Sequence, residues 1–256
     1  MNYQKALKQR QADTGRWFLE SDQYVKWKTN AASFLWLHGI PGCGKTILSS
    51  TILQNVYQYC ANDPGKVVAY FYFDFNDPQK RLPELMVRSL ISQLSQQCIK
   101  VPTALEALSS SCDNGHRHPS LDSLLEVLQQ IIEDFPHSYV ILDALDECTN
   151  RTQLMDILER VAGWRVEKLH VLVTSRKERD IESSLECFVD QQNSVNVQND
   201  LVDKDIQTYI RQRLSDDKSL RKWQKDNDIR QEIETSLMKG AHGMYGSPSF
   251  VLKLQC

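Results

Sequence analysis

Gly39-Ile40-Pro41-Gly42-Cys43-Gly44-Lys45-Thr46 fits G-x-x-x-x-G-K-[ST] without a mismatch. Each fixed position answers a physical need. Glycine lets the backbone take left-handed dihedrals and bring N–H groups close to phosphate oxygens. A helix that follows directly turns its positive end toward the same anion. Lys45 is placed to set a compact cation on the β- and γ-phosphates, and the Thr46 hydroxyl to ligate Mg²⁺. Gly39, Pro41, Gly42, Cys43, Gly44, Lys45 and Thr46 are therefore candidate nucleotide contacts. A tight strand–helix turn with no ligand is the alternative, and the flanking sequence weighs against it. Phe34-Leu35-Trp36-Leu37 reads as a buried strand, and Thr46–Tyr59 as a helix with Leu48, Ile52, Val56 and Tyr59 on one face.

Outward from this loop, short β-rich runs alternate with longer helical patterns, which predicts a parallel sheet covered by helices. Strands are expected at Ser33–His38, Val67–Phe75, Tyr139–Asp143, His170–Thr174 and, more weakly, Ser194–Val197. Helices are expected from Pro83, from about Ser120 and over Arg151–Ala162, where apolar residues recur at helical spacing. Residues 1–32 read as a helical lead with Trp17, Phe18, Leu19, Tyr24 and Trp27. Asp203–Leu214 and Asp228–Lys239 read as helices of a tail. The expected organisation is a lead segment over 1–32, an α/β core over 33–200 and a helical extension over 201–256. No internal repeat interrupts it.

Tyr139-Val140-Ile141-Leu142-Asp143-Ala144-Leu145-Asp146-Glu147 sets an acid at the tip of an apolar strand and two more just beyond. Asp143 is the candidate Mg²⁺ partner beside Thr46, as the second half of a phosphate site requires. Asp146 or Glu147 is a candidate to orient or deprotonate an attacking water. Val171-Leu172-Val173-Thr174-Ser175-Arg176 ends another strand in a hydroxyl and a guanidinium, and Arg176 is a candidate sensor of the γ-phosphate. An exposed arginine in the charged run Lys177-Glu178-Arg179-Asp180 is the bland alternative.

Composition excludes other classes. In 256 residues, 41% hydrophobic and 25% charged side chains are ordinary for a globular chain and argue against wholesale disorder. Thirty basic against thirty-three acidic residues give a charge of −3, so there is no global pull toward nucleic acid or an anionic membrane. No apolar run approaches a membrane span, and Met1–Lys5 has no signal-peptide character. Seven scattered cysteines without a Cys-x-x-Cys pair fit reduced thiols in a cytoplasmic protein.

The three motifs in this order resemble the NACHT group of signal-transducing (STAND) P-loop NTPases. Asp13–Leu19, Phe34–Gly42, Phe71–Phe75, Ile141–Cys148 and Val173–Lys177 are similar to its fungal, nephrocystin-like branch over roughly residues 12–244. The resemblance implies a P-loop NTPase three-layer sandwich with a parallel five-stranded sheet of order 5-1-4-3-2. It implies ATP or GTP with Mg²⁺ as ligand, slow hydrolysis, and nucleotide-dependent switching between effector and repeat-sensor protein partners. Fungal members are linked to non-self recognition and heterokaryon-incompatibility-type cell death. A non-hydrolysing nucleotide-bound scaffold, or a P-loop kinase, is the alternative. His242-Gly243-Met244 matches the family's turn, but Tyr245-Gly246-Ser247-Pro248-Ser249 breaks the helix that the family would continue. The expectation is a truncated or altered carboxy terminus, with residues 245–256 loosely held.

Overall fold

The computed structural model describes residues 3–4, 6, 14–112, 117–197, 200–216, 231–232 and 235–236. A short helix α1 (Arg16–Leu19) and helix α2 (Asp22–Thr29) lead into strand β1 (Ser33–His38) and helix α3 (Lys45–Cys60). Strand β2 (Lys66–Tyr72) follows, then helices α4 (Pro83–Ser95), α5 (Thr103–Ser111) and α6 (Leu121–Glu133). Next come β3 (His137–Asp143), α7 (Arg151–Gly163), β4 (Leu169–Ser175), α8 (Arg179–Leu185), β5 (Ser194–Asn196) and α9 (Asp200–Asp216).

The five strands form one sheet of order β2-β3-β4-β1-β5 with every pairing parallel. Read from the other edge, this is the order 5-1-4-3-2 that the resemblance implies. Successive residues of a strand point to opposite faces, and the core divides accordingly. Trp36, Val140, Leu142, Val171 and Val173 pack beneath α4, α6, α7 and α8, whereas Leu35, Leu37, Ile141 and Leu172 pack against α2, α3 and α9. The result is a helix–sheet–helix sandwich. α6 shows why its sequence forms a helix: Ser120 caps it by accepting from the Ser123 amide. Its face of Leu124, Leu125, Val127, Leu128, Ile131 and Ile132 is buried, at about 1.5–3 kcal/mol per side chain.

Some boundaries differ from the periodicity. The strand expected over Val67–Phe75 ends at Tyr72. Asp74 Oδ1 accepts from the Asn76 amide and Asp77 Oδ1 from the Gln79 amide, bending the chain into the 3₁₀ turn Pro78–Lys80. Tyr59 leaves the buried stripe of α3, whose face is completed by Leu53 and Cys60 instead. Its ring packs against the Lys66 and Lys28 ammonium groups, 4.0 and 4.9 Å from its centroid. The apolar pattern does not mark the helices α5 and α8. α5 buries no residue fully, and α8 shows only Ile181 and Leu185 on its inner face. In the tail, Ile206 and Ile210 are buried and Tyr209 is partly so. The Leu214 side chain, most of the helix expected over Asp228–Lys239 and the stretch 237–256 lie outside the described residues.

Candidate functional site

The phosphate loop joins β1 to α3, and its glycines sit where another residue would not. A Cβ on Gly39 would lie 2.8 Å from Cys43 Sγ, and Gly42 and Gly44 have φ of 76° and 91°. Gly44 is the N-cap of α3 and no side chain caps that end, which leaves its first-turn amides as donors for an anion. Pro41 and Gly42 form the exposed crown of the loop. Cys43 is buried among the apolar side chains beneath α3, and burial pushes its thiol pKa up. Only its backbone is left for a ligand. Lys45 Nζ spans the loop, donating to the carbonyls of Gly39 and Ile40 at 2.8 and 2.9 Å.

Asp143, at the end of β3, meets the loop across β4. Thr46 Oγ1 donates to its Oδ2 at 2.8 Å, and Thr174 Oγ1 donates to its Oδ1 at 2.7 Å. Thr174 in turn accepts from the Ala144 amide at 3.0 Å. Burial raises the Asp143 carboxyl pKa; the hydroxyls of Thr174, Thr46 and Ser49 and the charge of Lys45 act the other way. A buried carboxylate beside a hydroxyl offers two hard oxygen donors, the set a magnesium ion takes when waters and phosphates complete its shell. Among the described residues no group of three or more His, Cys, Asp or Glu forms a closed metal cage. The Thr46 and Asp143 oxygens could contribute to such a magnesium shell.

The later acids separate in role. Beyond Asp143 the chain turns through Ala144, left-handed at φ 60°, into the 3₁₀ turn Leu145–Glu147. The nearly buried Asp146 takes Arg176 at two points: Oδ1 accepts from its backbone amide and Oδ2 pairs with Nε, each at 2.9 Å. Arg176 is thus not a free arm of a charged loop. Lys177 pairs with Glu182, and Arg151 with Glu178 and Asp180. Glu147 Oε2 accepts from the Phe75 amide at 3.0 Å, and its half-buried carboxyl has a raised pKa, chiefly through desolvation.

Several neighbours escaped the sequence reading. Tyr72 OH lies 3.1 Å from Ser50 Oγ and 3.4 Å from Ser49 Oγ, a buried polar group near Asp143. Trp36 Nε1 donates to Ser175 Oγ at 2.8 Å and ties β1 to β4 next to the loop. Asp205, on α9, accepts from the Gly15 amide and the Trp17 indole. Each partner is remote in sequence, so no local pattern marks it.

A glycine loop opening a helix, a buried acid two strands away and a parallel sheet of this order define a nucleotide-binding module of the P-loop NTPase class. The chain belongs to the family described as nephrocystin 3, N-terminal, which matches residues 13–176. The vegetative incompatibility protein HET-E-1 of Podospora anserina is 25% identical over 240 residues, covering 91% of this chain and 17% of that protein. The NACHT-like, fungal nephrocystin-like resemblance carried by the motifs stands on these two matches. Among solved structures, Cdc6p from Pyrobaculum aerophilum aligns at a TM-score of 0.52 and 12% identity, covering 80% of this chain and 50% of that one. The Aeropyrum pernix ORC1 protein in complex with DNA aligns at 0.50 and 14%, covering 72% and 44%. At such identity the likeness is one of fold. Among the described residues no helix is long and apolar enough to cross a membrane.

Proposed function

We propose that this chain is the nucleotide switch of a larger signalling protein, binding ATP or GTP with Mg²⁺ and hydrolysing it slowly. The observation that carries this reading is the Thr46–Asp143–Thr174 chain of hydrogen bonds beside a lysine that bridges the loop. Lys45 exchanges the Gly39 and Ile40 carbonyls for phosphate oxygens, and the first-turn amides of α3 receive the rest of the negative charge. Thr46 and Asp143 hold the magnesium ion, which supplies charge neutralisation at the phosphates. Asp146, with both oxygens on Arg176, aims that guanidinium toward the γ-phosphate end of the site. Glu147 is the acid left to orient water. Effector and sensor domains lie among its partners, and the likeness to a vegetative incompatibility protein supports non-self recognition as the setting.

A non-hydrolysing scaffold is the second reading. One observation favours it: Asp146 is committed to Arg176, and Glu147 to the Phe75 amide. Steady-state phosphate release from purified full chain separates the two. Mg²⁺-dependent turnover lost in Lys45→Ala supports the switch, whereas tight binding without any turnover leaves the scaffold. No binding of either nucleotide overturns both.

A further inference from the structure

One carboxylate links α1 and α9 beside the phosphate loop. Asp205 Oδ2 accepts from the Gly15 backbone amide at 2.7 Å and from Trp17 Nε1 at 3.1 Å. The same oxygen thus holds both the N-cap of α1 and a side chain of its first turn. α9 is anchored below this point by buried Ile206 and Ile210. Gly15 is pressed onto α3: it has φ 81°, and a Cβ there would lie 3.2 Å from Leu48 Cδ1 and 3.5 Å from Thr51 Cγ2. Lead segment, phosphate-loop helix and α9 therefore meet at one junction.

The junction walls a crevice that begins at the loop. Gly15, Trp17, Gly44, Leu48, Thr51 and Asp205 are among its lining residues, and it encloses about 20 Å³. A volume near this holds roughly one water, far less than a nucleoside needs. Phosphates received at the start of α3 leave the nucleoside half of the ligand to lie along this flank, since Gly44 borders both. Walls that include Trp17 and Leu48 suit the flat apolar face of a base.

We propose that Asp205 is a positioning residue of the nucleotide site, a clasp that holds α1 to α9 over the flank of the phosphate loop and must open for nucleotide to enter or leave. The proposal rests on the nucleotide-binding reading above. It assigns α9 a task beyond covering apolar surface: its attachment through one carboxylate sets how fast the ligand exchanges. The clasp needs an acceptor oxygen rather than a negative charge, because both partners are neutral N–H donors. Burial raises the Asp205 carboxyl pKa, which fits a group held for its acceptor.

Release of an N-methylanthraniloyl-labelled nucleotide from the full chain, chased with excess unlabelled nucleotide, tests this. Asp205→Ala is expected to speed release about tenfold, the effect of losing two hydrogen bonds of ordinary strength. Asp205→Asn retains an acceptor oxygen and should stay near wild type. Trp17→Phe keeps an aromatic ring but loses the donor; it should speed release alone and add nothing in the Asp205→Ala background. Unchanged release in Asp205→Ala, release from Asp205→Asn as fast as from Asp205→Ala, or additive effects of the two sites would overturn the clasp. Hydrogen exchange at the Gly15 amide, measured in protein without nucleotide, gives a second reading. It should quicken about tenfold in Asp205→Ala, and equal protection in both proteins rejects the contact. If the wild type binds no labelled nucleotide, the proposed function fails and the coupling with it, while exchange at Gly15 still reports on the contact itself.

Discussion

Asp143 and Thr174 are joined across adjacent strands: the threonine hydroxyl donates to Oδ1 at 2.7 Å while accepting from the Ala144 amide at 3.0 Å. One small side chain thereby satisfies one oxygen of a buried carboxylate and orients the first turn of the loop carrying Asp146 and Glu147. Thr174→Val keeps the shape but strips both bonds, leaving a buried donor and acceptor without partners. A loss of about 1–3 kcal/mol is expected in urea unfolding, with Thr174→Ser restoring most of it. A valine variant as stable as the wild type would contradict this role.

Lys45 reaches over the loop to the Gly39 and Ile40 carbonyls, contributing charge but little core. Lys45→Ala should unfold at nearly the wild-type temperature yet lose the stabilisation that Mg²⁺-nucleotide confers. In the wild type that gain is about 2.7 kcal/mol at a hundredfold excess over Kd. Thermal shift with and without nucleotide measures both quantities, and an undiminished shift in the variant removes the lysine from the site.

The pairing of Asp146 with Arg176 predicts that the two acids behave differently. Glu147→Gln should leave nucleotide binding near normal and slow phosphate release about a hundredfold. Asp146→Asn should match Arg176→Ala, and the double variant should be no worse than either alone. Additive losses would show that Asp146 acts independently of the arginine.

His170 is buried at the opposite end of the sheet. Nδ1 lies within hydrogen-bond distance of Ser33 Oγ and the Trp27 carbonyl, and Nε2 of His137 Nδ1. Desolvation, with a smaller contribution from His137, lowers its pKa to about 4. The unfolded chain takes up this proton near pH 6.5 and the native chain only near 4. Its contribution is therefore complete above about pH 6.5 and is lost as pH falls toward 4, by roughly 3 kcal/mol at most. His170→Gln should flatten this part of the stability profile by chemical denaturation at stepped pH. An unchanged slope would mean that other groups carry it.

Local chemistry makes much of this protein legible in its sequence. The glycine loop with its lysine is written in consecutive residues, because binding a phosphate at a helix start needs a short run of backbone with particular dihedrals. Buried parallel strands announce themselves as apolar runs, and amphipathic helices such as α6 as a recurring stripe. Tertiary structure decided what depends on residues far apart. Whether Asp146 faces a water or Arg176 turns on how β3 and β4 end side by side, which no spacing encodes. Tyr72, Ser49 and Ser50 gather near Asp143 only because β2 pairs with β3 while α3 crosses above them. Asp205 is one acid among the charges of an amphipathic helix until α9 folds back onto Gly15, 190 residues away in the chain. The strand's period of two and the helix's of 3.6 belong to the backbone and are readable locally, whereas a hydrogen bond between distant side chains exists only once packing has set its length.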